Sequence, residues 1–215
     1  DRDAFYRAPA WWPSGDRFVL AAGDGDGGRS LFIEDAFSAR RTTLGPVESG
    51  VAFLWSSDGS TLAVARSRIS VGGIYDTLEF YGANGTSVGS VISDSFIAFY
   101  WSPDSTMLAY VTLVDDRGVF RWNVLTVADG GSRAVVDFTP SSPQITLFQF
   151  FDQFAYSHTT WSPDSDALVF TGTLKGGATS VSEGRQQGPQ IIVATLGRIP
   201  SAYTIGDGLM AFWSP

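Results

Sequence analysis

One short motif recurs along this 215-residue chain, and it constrains the fold more than any other feature. Trp55-Ser56-Ser57-Asp58-Gly59, Trp101-Ser102-Pro103-Asp104-Ser105 and Trp161-Ser162-Pro163-Asp164-Ser165 are close copies of one another. Trp12-Pro13-Ser14-Gly15-Asp16 reads as a further copy with its aspartate and glycine transposed, and Trp213-Ser214-Pro215 as a partial one. Successive tryptophans lie 43, 46, 60 and 52 residues apart. Self-similarity at such a period marks an array of repeated supersecondary units.

The flanks of the motif say what the unit is. After each turn comes a short, mainly apolar run: Arg17–Ala22, Thr61–Ala65, Met107–Val111 and Ala167–Thr171. Before the tryptophan stand Val51–Leu54, Phe96–Tyr100 and Leu209–Phe212. Short runs rich in β-branched and aromatic residues, bounded by turn formers, read as strands. Proline presets φ in the turn, and Asp and Ser side chains bond its backbone amides. Third strands are expected at Leu31–Glu34, Leu78–Tyr81, Phe120–Val127 and Ile191–Ala194, and fourth strands at Arg41–Leu44, Ser87–Ile92, Arg133–Phe138 and Ala202–Ile205. Four strands per repeat make a β-propeller blade, with the tryptophan strand innermost. The expected fold is therefore an all-β propeller of four-stranded antiparallel blades. Four blades and the first strand of a fifth are expected in a single domain over 1–215. Their bounds are about 5–45, 46–94, 95–143, 144–207 and 208–215. Because Trp213-Ser214-Pro215 stops within a turn, the expectation is a part of a larger ring, closed by further blades or another chain.

Trp-Ser-Pro-Asp-Gly followed by an apolar strand resembles the repeat of TolB-like propellers. The same repeat occurs in the propellers of prolyl-oligopeptidase-type peptidases and tricorn-type proteases. The resemblance covers nearly the whole chain. It implies a propeller that serves as a binding platform, gate or scaffold, and fold alone does not choose among these. On this reading Trp12, Trp55, Trp101, Trp161 and Trp213, with Asp58, Asp104 and Asp164, are structural repeat residues.

The long segments fall between the second and third strands or between units: Ser67–Thr77, Thr139–Thr160 and Thr173–Gly188. The other turns have only four or five residues. Insertions on one face of a repeat fold often mark its binding face. Gln144–His158 carries five aromatic residues, too many for a solvated loop. It is expected either to pack across neighbouring blades or to dock on a partner. Phe151, Asp152, Gln153, Tyr156 and His158 are the candidate binding residues there. The glycine-rich stretch Thr173–Gly188 adds Lys175 and Arg185.

Several chemistries are set aside. The chain has no cysteine, which removes disulfides, thiolate nucleophiles and cysteine zinc sites. His158 is the sole histidine, so no histidine-rich metal centre is expected. Gly85-Thr86-Ser87-Val88-Gly89 matches a nucleophile elbow in letters, but it falls in a hairpin rather than a strand-to-helix turn. Asp24-Gly25-Asp26-Gly27-Gly28 reads as an acidic turn rather than a calcium loop, because Arg29 stands where an EF-hand needs glycine. No metal, cofactor or catalytic residue is expected. The net charge of −8 and the single lysine argue against nucleic acid as a partner. No apolar run is long enough to span a membrane.

The function expected is thus a non-catalytic protein-interaction or assembly propeller. It would belong to an exported or membrane-complex-associated protein, periplasmic or extracellular, and bind a protein partner through the long-loop face. The alternatives are the gating propeller of a serine peptidase whose catalytic domain lies elsewhere, and a glycan- or small-ligand-binding propeller.

Overall fold

The computed structural model describes residues 8–67, 73–91, 95–175 and 188–214. Two compact units divide the chain, residues 1–95 and 96–215. The first unit holds two antiparallel four-stranded sheets. One is built from β1 (Ala10–Trp11), β2 (Arg17–Gly23), β3 (Arg29–Asp35) and β4 (Arg41–Pro46). The other is built from β5 (Val51–Trp55), β6 (Thr61–Arg66), β7 (Thr77–Gly82) and β8 (Ser87–Val91). In both, spatial order follows sequence order. Val19, Leu31, Ile33, Val51, Phe53, Trp55, Leu62 and Val64 share one buried core between the two sheets. Trp55 Nε1 donates to the Ala10 carbonyl at 3.3 Å, a polar lock inside that core.

The second unit holds β9 (Phe96–Trp101), β10 (Met107–Leu113), β11 (Phe120–Thr126) and β12 (Ser132–Pro140), then β13 (Ala167–Leu174), β14 (Gln190–Thr195) and β15 (Ser201–Asp207). These seven strands form one antiparallel sheet in sequence order. The long strand β12 makes this continuity: Ser132–Phe138 pairs with β11, and Phe138–Pro140 goes on to pair with β13. Trp161 Nε1 donates to the Tyr100 carbonyl at 3.0 Å. Each unit therefore repeats one lock, from a motif tryptophan to the carbonyl just before the motif tryptophan of the preceding repeat.

The motif turn is a four-residue β-turn in all four complete copies. The amides of Gly15, Gly59, Ser105 and Ser165 donate to the carbonyls of Trp12, Ser56, Ser102 and Ser162. The fourth turn residue has φ of +76°, +71°, +62° and +59° respectively, the left-handed region that glycine tolerates at least cost. This register corrects the sequence reading at Trp12. Trp12 sits where the other copies have serine, and Trp11 occupies the repeat position, paired with Phe18 as Trp55 is with Leu62. The first copy is thus Trp11-Trp12-Pro13-Ser14-Gly15. Its glycine is in place, and Ser14 replaces the aspartate. Trp12 instead donates its indole N–H to the Gly59 carbonyl at 2.6 Å and lies under the Arg17 guanidinium at 4.1 Å.

Asp58 and Asp104 fulfil their turn role. Each accepts from the motif serine, Ser56 at 2.7 Å and Ser102 at 2.6 Å, and from an amide two residues on. Burial works to raise the Asp104 carboxyl, but the Ser102 and Thr106 hydrogen bonds hold it below the ordinary carboxylate range. Asp164 does not take this role. Ser162 turns to Asp166 at 2.9 Å, two residues nearer the strand, and Asp164 is exposed to solvent.

Gly59 gives a direct test of the corrected register. A Cβ there would meet the Trp12 indole, with Cε2 at 2.9 Å, on a backbone already at positive φ. Gly59→Ala is expected to cost about 1–3 kcal/mol through overpacking and left-handed strain. Chemical denaturation of wild type and variant measures it. Equal midpoints would refute the register.

Two expectations differ from the structure. Leu209–Phe212 is not a strand; only Trp213 makes a bridge, to Thr159. Thr139–Thr160 is not irregular: it contains α1 (Ser142–Gln149) and the single-turn α2 (Phe151–Phe154). No described helix is long and apolar enough to cross a membrane.

Candidate functional site

The helical segment is spliced into a strand. The ladder along the inner edge of β13 starts with Phe138, Thr139 and Pro140 opposite Leu174, Thr173 and Gly172. Ser141 continues it, donating its amide to the Thr171 carbonyl at 3.1 Å. There the chain leaves the sheet. It returns at Thr160, whose carbonyl accepts from the Val169 amide at 2.8 Å, and Trp161 bridges Leu168. A departing strand would orphan the Thr171 amide, and a buried unmade bond costs its desolvation. Gln144 prevents that: its side-chain carbonyl accepts the Thr171 amide at 3.0 Å in place of a strand carbonyl.

Ser141 carries the turn into the helix. Its hydroxyl caps α1 by accepting from the Gln144 amide at 3.2 Å, and Pro143 fits the first turn, where no amide partner is needed. The same hydroxyl lies 2.7 Å from Thr171 Oγ1, which donates to the Leu209 carbonyl at 3.0 Å. Ser141, Gln144 and Thr171 are all buried. Replacing Gln144 by Leu keeps the bulk and removes the acceptor. A loss of about 1–3 kcal/mol is expected, with faster hydrogen exchange at the Thr171 amide. Unchanged exchange there would rule out the strand-mimic role.

The five candidate residues on the insertion separate into two groups. Phe151 is core: it is 0% exposed, with its ring 4.9 Å from Phe99 and 5.9 Å from Tyr100. It cannot be a partner contact, because the sheet already holds it. Phe148, equally buried, packs on Trp122, Phe120 and Phe138. Gln153 and Tyr156 are exposed, and Asp152 is half-buried. Burial, and secondarily the negative charge of Asp152, push the Tyr100 phenol far above its ordinary range, so Tyr100 stays neutral. His158 Nδ1 lies 2.7 Å from Ser157 Oγ, and its ring packs edge-on to Phe154 and Phe212, at 5.2 and 4.4 Å. It is a packed aromatic, and the one hydrogen-bond partner of its ring among the described residues is the adjacent Ser157.

Lys175 stands apart from this group, at the end of β13, with its amide on the Asp137 carbonyl. Arg185 lies outside the described residues. Sequence reasoning missed Phe150, Leu209 and Met210, which are exposed apolar residues on and beside the insertion. Gln144–His158 carries one acidic residue, Asp152, and no lysine or arginine. Its outer surface is therefore aromatic and amide-rich rather than ionic.

Other motifs resolve simply. Gly85 closes a hairpin turn and Ser87 opens β8, so the nucleophile-elbow letters sit on no strand-to-helix turn. Asp24 folds on itself, accepting the Asp26 and Gly28 amides at 3.0 and 2.9 Å. Among the described residues no group of three or more His, Cys, Asp or Glu side chains is arranged to hold a metal ion.

The first unit has a cleft of about 270 Å³, lined by Leu44–Val51, Arg66, Ser67, Glu79 and Tyr81. Arg66 Nε donates to Glu79 at 2.7 Å and Nη1 to the Pro46 carbonyl at 2.7 Å. The Tyr81 hydroxyl donates to Glu79 at 2.8 Å. Burial works to lower the Arg66 pKa, but its bonds to Glu79 and Tyr81 keep it above the usual value. Burial, aided by Glu79, raises Tyr81. These groups satisfy one another and tie the end of β4 to the second sheet. Arg66→Met removes the contacts to the Pro46 carbonyl, at 2.7 Å, and the Leu44 carbonyl, at 3.4 Å, and is expected to lower stability by about 1–3 kcal/mol. A thermal midpoint within error of wild type would show that the tie is idle.

No family model and no curated protein matches the chain. Solved structures do match it in fold. An uncharacterised protein of Listeria monocytogenes EGD-e aligns with a TM-score of 0.59 and 11% identity, over 95% of this chain and 55% of that one. The β-propeller domain of the Trilobed protease from Pyrococcus furiosus, described as having an open velcro topology, aligns with a TM-score of 0.54 and 11% identity, over 93% and 56%. A TolB-type protein of Agrobacterium tumefaciens aligns with a TM-score of 0.50 and 13% identity, over 99% and 73%. The chain thus spans little more than half the length of the first two. Sheets of four, four and seven antiparallel strands, locked by recurring tryptophans, give this chain the fold of TolB-like and peptidase-type β-propellers.

Proposed function

We propose that this chain is a non-catalytic interaction propeller that binds a protein partner through the outer surface of the α1–α2 insertion. In this reading the two four-stranded sheets are two blades. The seven-stranded sheet is two more, joined because β12 runs on as the inner strand of the next, and the Trp213 segment begins a fifth. An exported location, periplasmic or extracellular, belongs to the same proposal. So does the closing of the ring by further blades or another chain.

One observation carries the binding role. The insertion anchors its inner half in the core through Phe148 and Phe151, yet leaves Phe150 and Tyr156 exposed, the latter by 57%. Rigidly held aromatics at a surface almost without charge suit a protein interface, where tyrosine and phenylalanine are enriched and little side-chain entropy remains to be lost.

The test is affinity capture from the native source by the whole protein and by a Phe150→Ser/Tyr156→Ser double variant. Both sites are exposed, so the fold is expected to survive. A partner retained by wild type and lost from the variant supports the role. Identical partner sets would overturn it. The Arg66–Glu79–Tyr81 cleft favours a second reading, a small polar ligand. A thermal upshift with a sugar or amino-acid panel, abolished by Glu48→Gln/Glu79→Gln, would move the assignment there.

A further inference from the structure

Exposed apolar residues of the second unit gather around α1. Leu113, at the end of β10, stands directly opposite Phe120 on β11, so the two side chains share one face of the sheet. The Phe120 ring lies 6.3 Å from Phe148 of α1, which places exposed Leu113 along one flank of the helix. Leu209 marks the other flank. Its carbonyl accepts from Thr171 Oγ1 at 3.0 Å and lies 3.3 Å from Ser141 Oγ, the cap of α1. Leu209 and Met210 are both exposed. Between the flanks, Ser142, Ile145 and Gln149 of α1 are exposed, three and four residues apart on one stripe, and the helix ends at exposed Phe150. The flanks are three strand spacings apart, from β10 to β13, or about 14 Å.

Backbone chemistry limits what can cover this surface. It is built from strand ends, a helix and a connecting segment, so it offers side chains rather than a strand edge. An extended segment laid on it would leave its own backbone groups unpaired against apolar side chains, whereas a helix satisfies them internally. Charge limits the occupant further. Asp115 and Asp116 follow the Leu113 flank, Asp207 precedes Leu209, and Asp152 lies on α2. Against these carboxylates the described residues around α1 set only Arg117 and Lys175. Asp116 and Asp207 are both exposed. We infer that the α1 surface is a docking site for a cationic amphipathic helix of a partner protein. Leu113, Ile145, Leu209 and Met210 are its apolar contacts, and Asp116 and Asp207 its charge partners. About three turns of helix cover the distance between the flanks. This rests on the interaction reading above and names the kind of partner, and the whole surface lies within the second unit.

Synthetic peptides of about 12 residues probe the site on the whole protein. One has leucines at i, i+3, i+4 and i+7 and lysines elsewhere. A second has glutamates in place of the lysines, and a third is the lysine peptide broken by a central proline. Fluorescence anisotropy reads the affinity and hydrogen exchange the footprint. The lysine helix is expected to bind about tenfold more tightly than either of the others, and to protect α1, Leu113–Val119 and Leu209–Ala211. Leu113→Ser/Met210→Ser weakens it about tenfold. Asp116→Asn/Asp207→Asn weakens it and flattens its salt dependence. Ile199→Ser, at the exposed β14–β15 turn, leaves it unchanged. Equal binding of the peptides, a footprint elsewhere, or indifference to Leu113→Ser/Met210→Ser overturns the helix site. Affinity capture separates this from the interaction role. A partner lost from Phe150→Ser/Tyr156→Ser but kept by Leu113→Ser/Met210→Ser sinks the helix site and leaves the role standing. A partner kept by both sinks both.

Discussion

Phe148→Ala is expected to destabilise the second unit by about 3–5 kcal/mol, the usual cost of emptying a buried phenylalanine site. The ring stands 5.5 Å from Trp122 at 78°, 6.3 Å from Phe138 at 76° and 6.3 Å from Phe120. Phe138 in turn lies 4.5 Å from Phe170, so the cluster spans β11, β12 and β13. Trp122 Nε1 is buried there without a hydrogen-bond partner. Aromatic packing alone holds that indole, and a cavity beside it cannot be refilled by a polar rearrangement. Phe150→Ala is the control: its ring is partly exposed two residues away, and the change is expected to stay within about 0.5 kcal/mol. Urea denaturation followed by tryptophan fluorescence reads both. Equal losses would mean that the insertion is not built into the core.

The strands were legible because each repeat states them again. All four third strands and all four fourth strands fall where the apolar runs place them, within two residues wherever both ends are described. A one-residue slip at the first repeat was not legible. Two adjacent tryptophans competed for one position, and the chosen alignment forced a transposition of aspartate and glycine. The hairpin bond from the Trp12 amide to the Arg17 carbonyl decides for Trp11. Gly15 itself was the available sequence signal, since only the Trp11 register aligns it with Gly59, and both glycines stand at positive φ.

Helices α1 and α2 were hidden for a different reason. Expectations for an all-β repeat assign any unmatched segment to loop. Yet Ser141-Ser142-Pro143 is a helix start, with a hydroxyl cap followed by proline in the first turn. The aromatic density of the segment said that its rings are covered, by the chain itself or by a partner, and left the two open. Which rings face inward could not be read, because Phe150 and Phe151 are adjacent and only one is buried. Likewise, no periodicity announces that Gln144 replaces a strand carbonyl: that role depends on where Thr171 stands.

Gly172 is the other residue whose meaning lay in the sequence and went unread. Glycine inside a strand often marks a close approach of another backbone. β13 reads Ala-Leu-Val-Phe-Thr-Gly-Thr-Leu, and its glycine faces the point where β12 crosses over to pair with it. A Cβ at that position would collide with the Thr139 carbonyl and lie 3.0 Å from the Pro140 Cα. Both obstacles are backbone, so no rotamer change relieves the clash, and one of the two strands must move. Gly172→Ala is therefore expected to cost about 3 kcal/mol or more, at the upper end for an overpacked site. The damage should be local: the Ser141–Thr171 pair adjoins the site, so amide protection should fall at Ser141, Thr171 and Lys175 before it falls in β10 or β11. Hydrogen exchange on the variant resolves the order. Uniform loss of protection across the seven strands, or none, would mean that β12 does not depend on this glycine to join the two halves of the sheet.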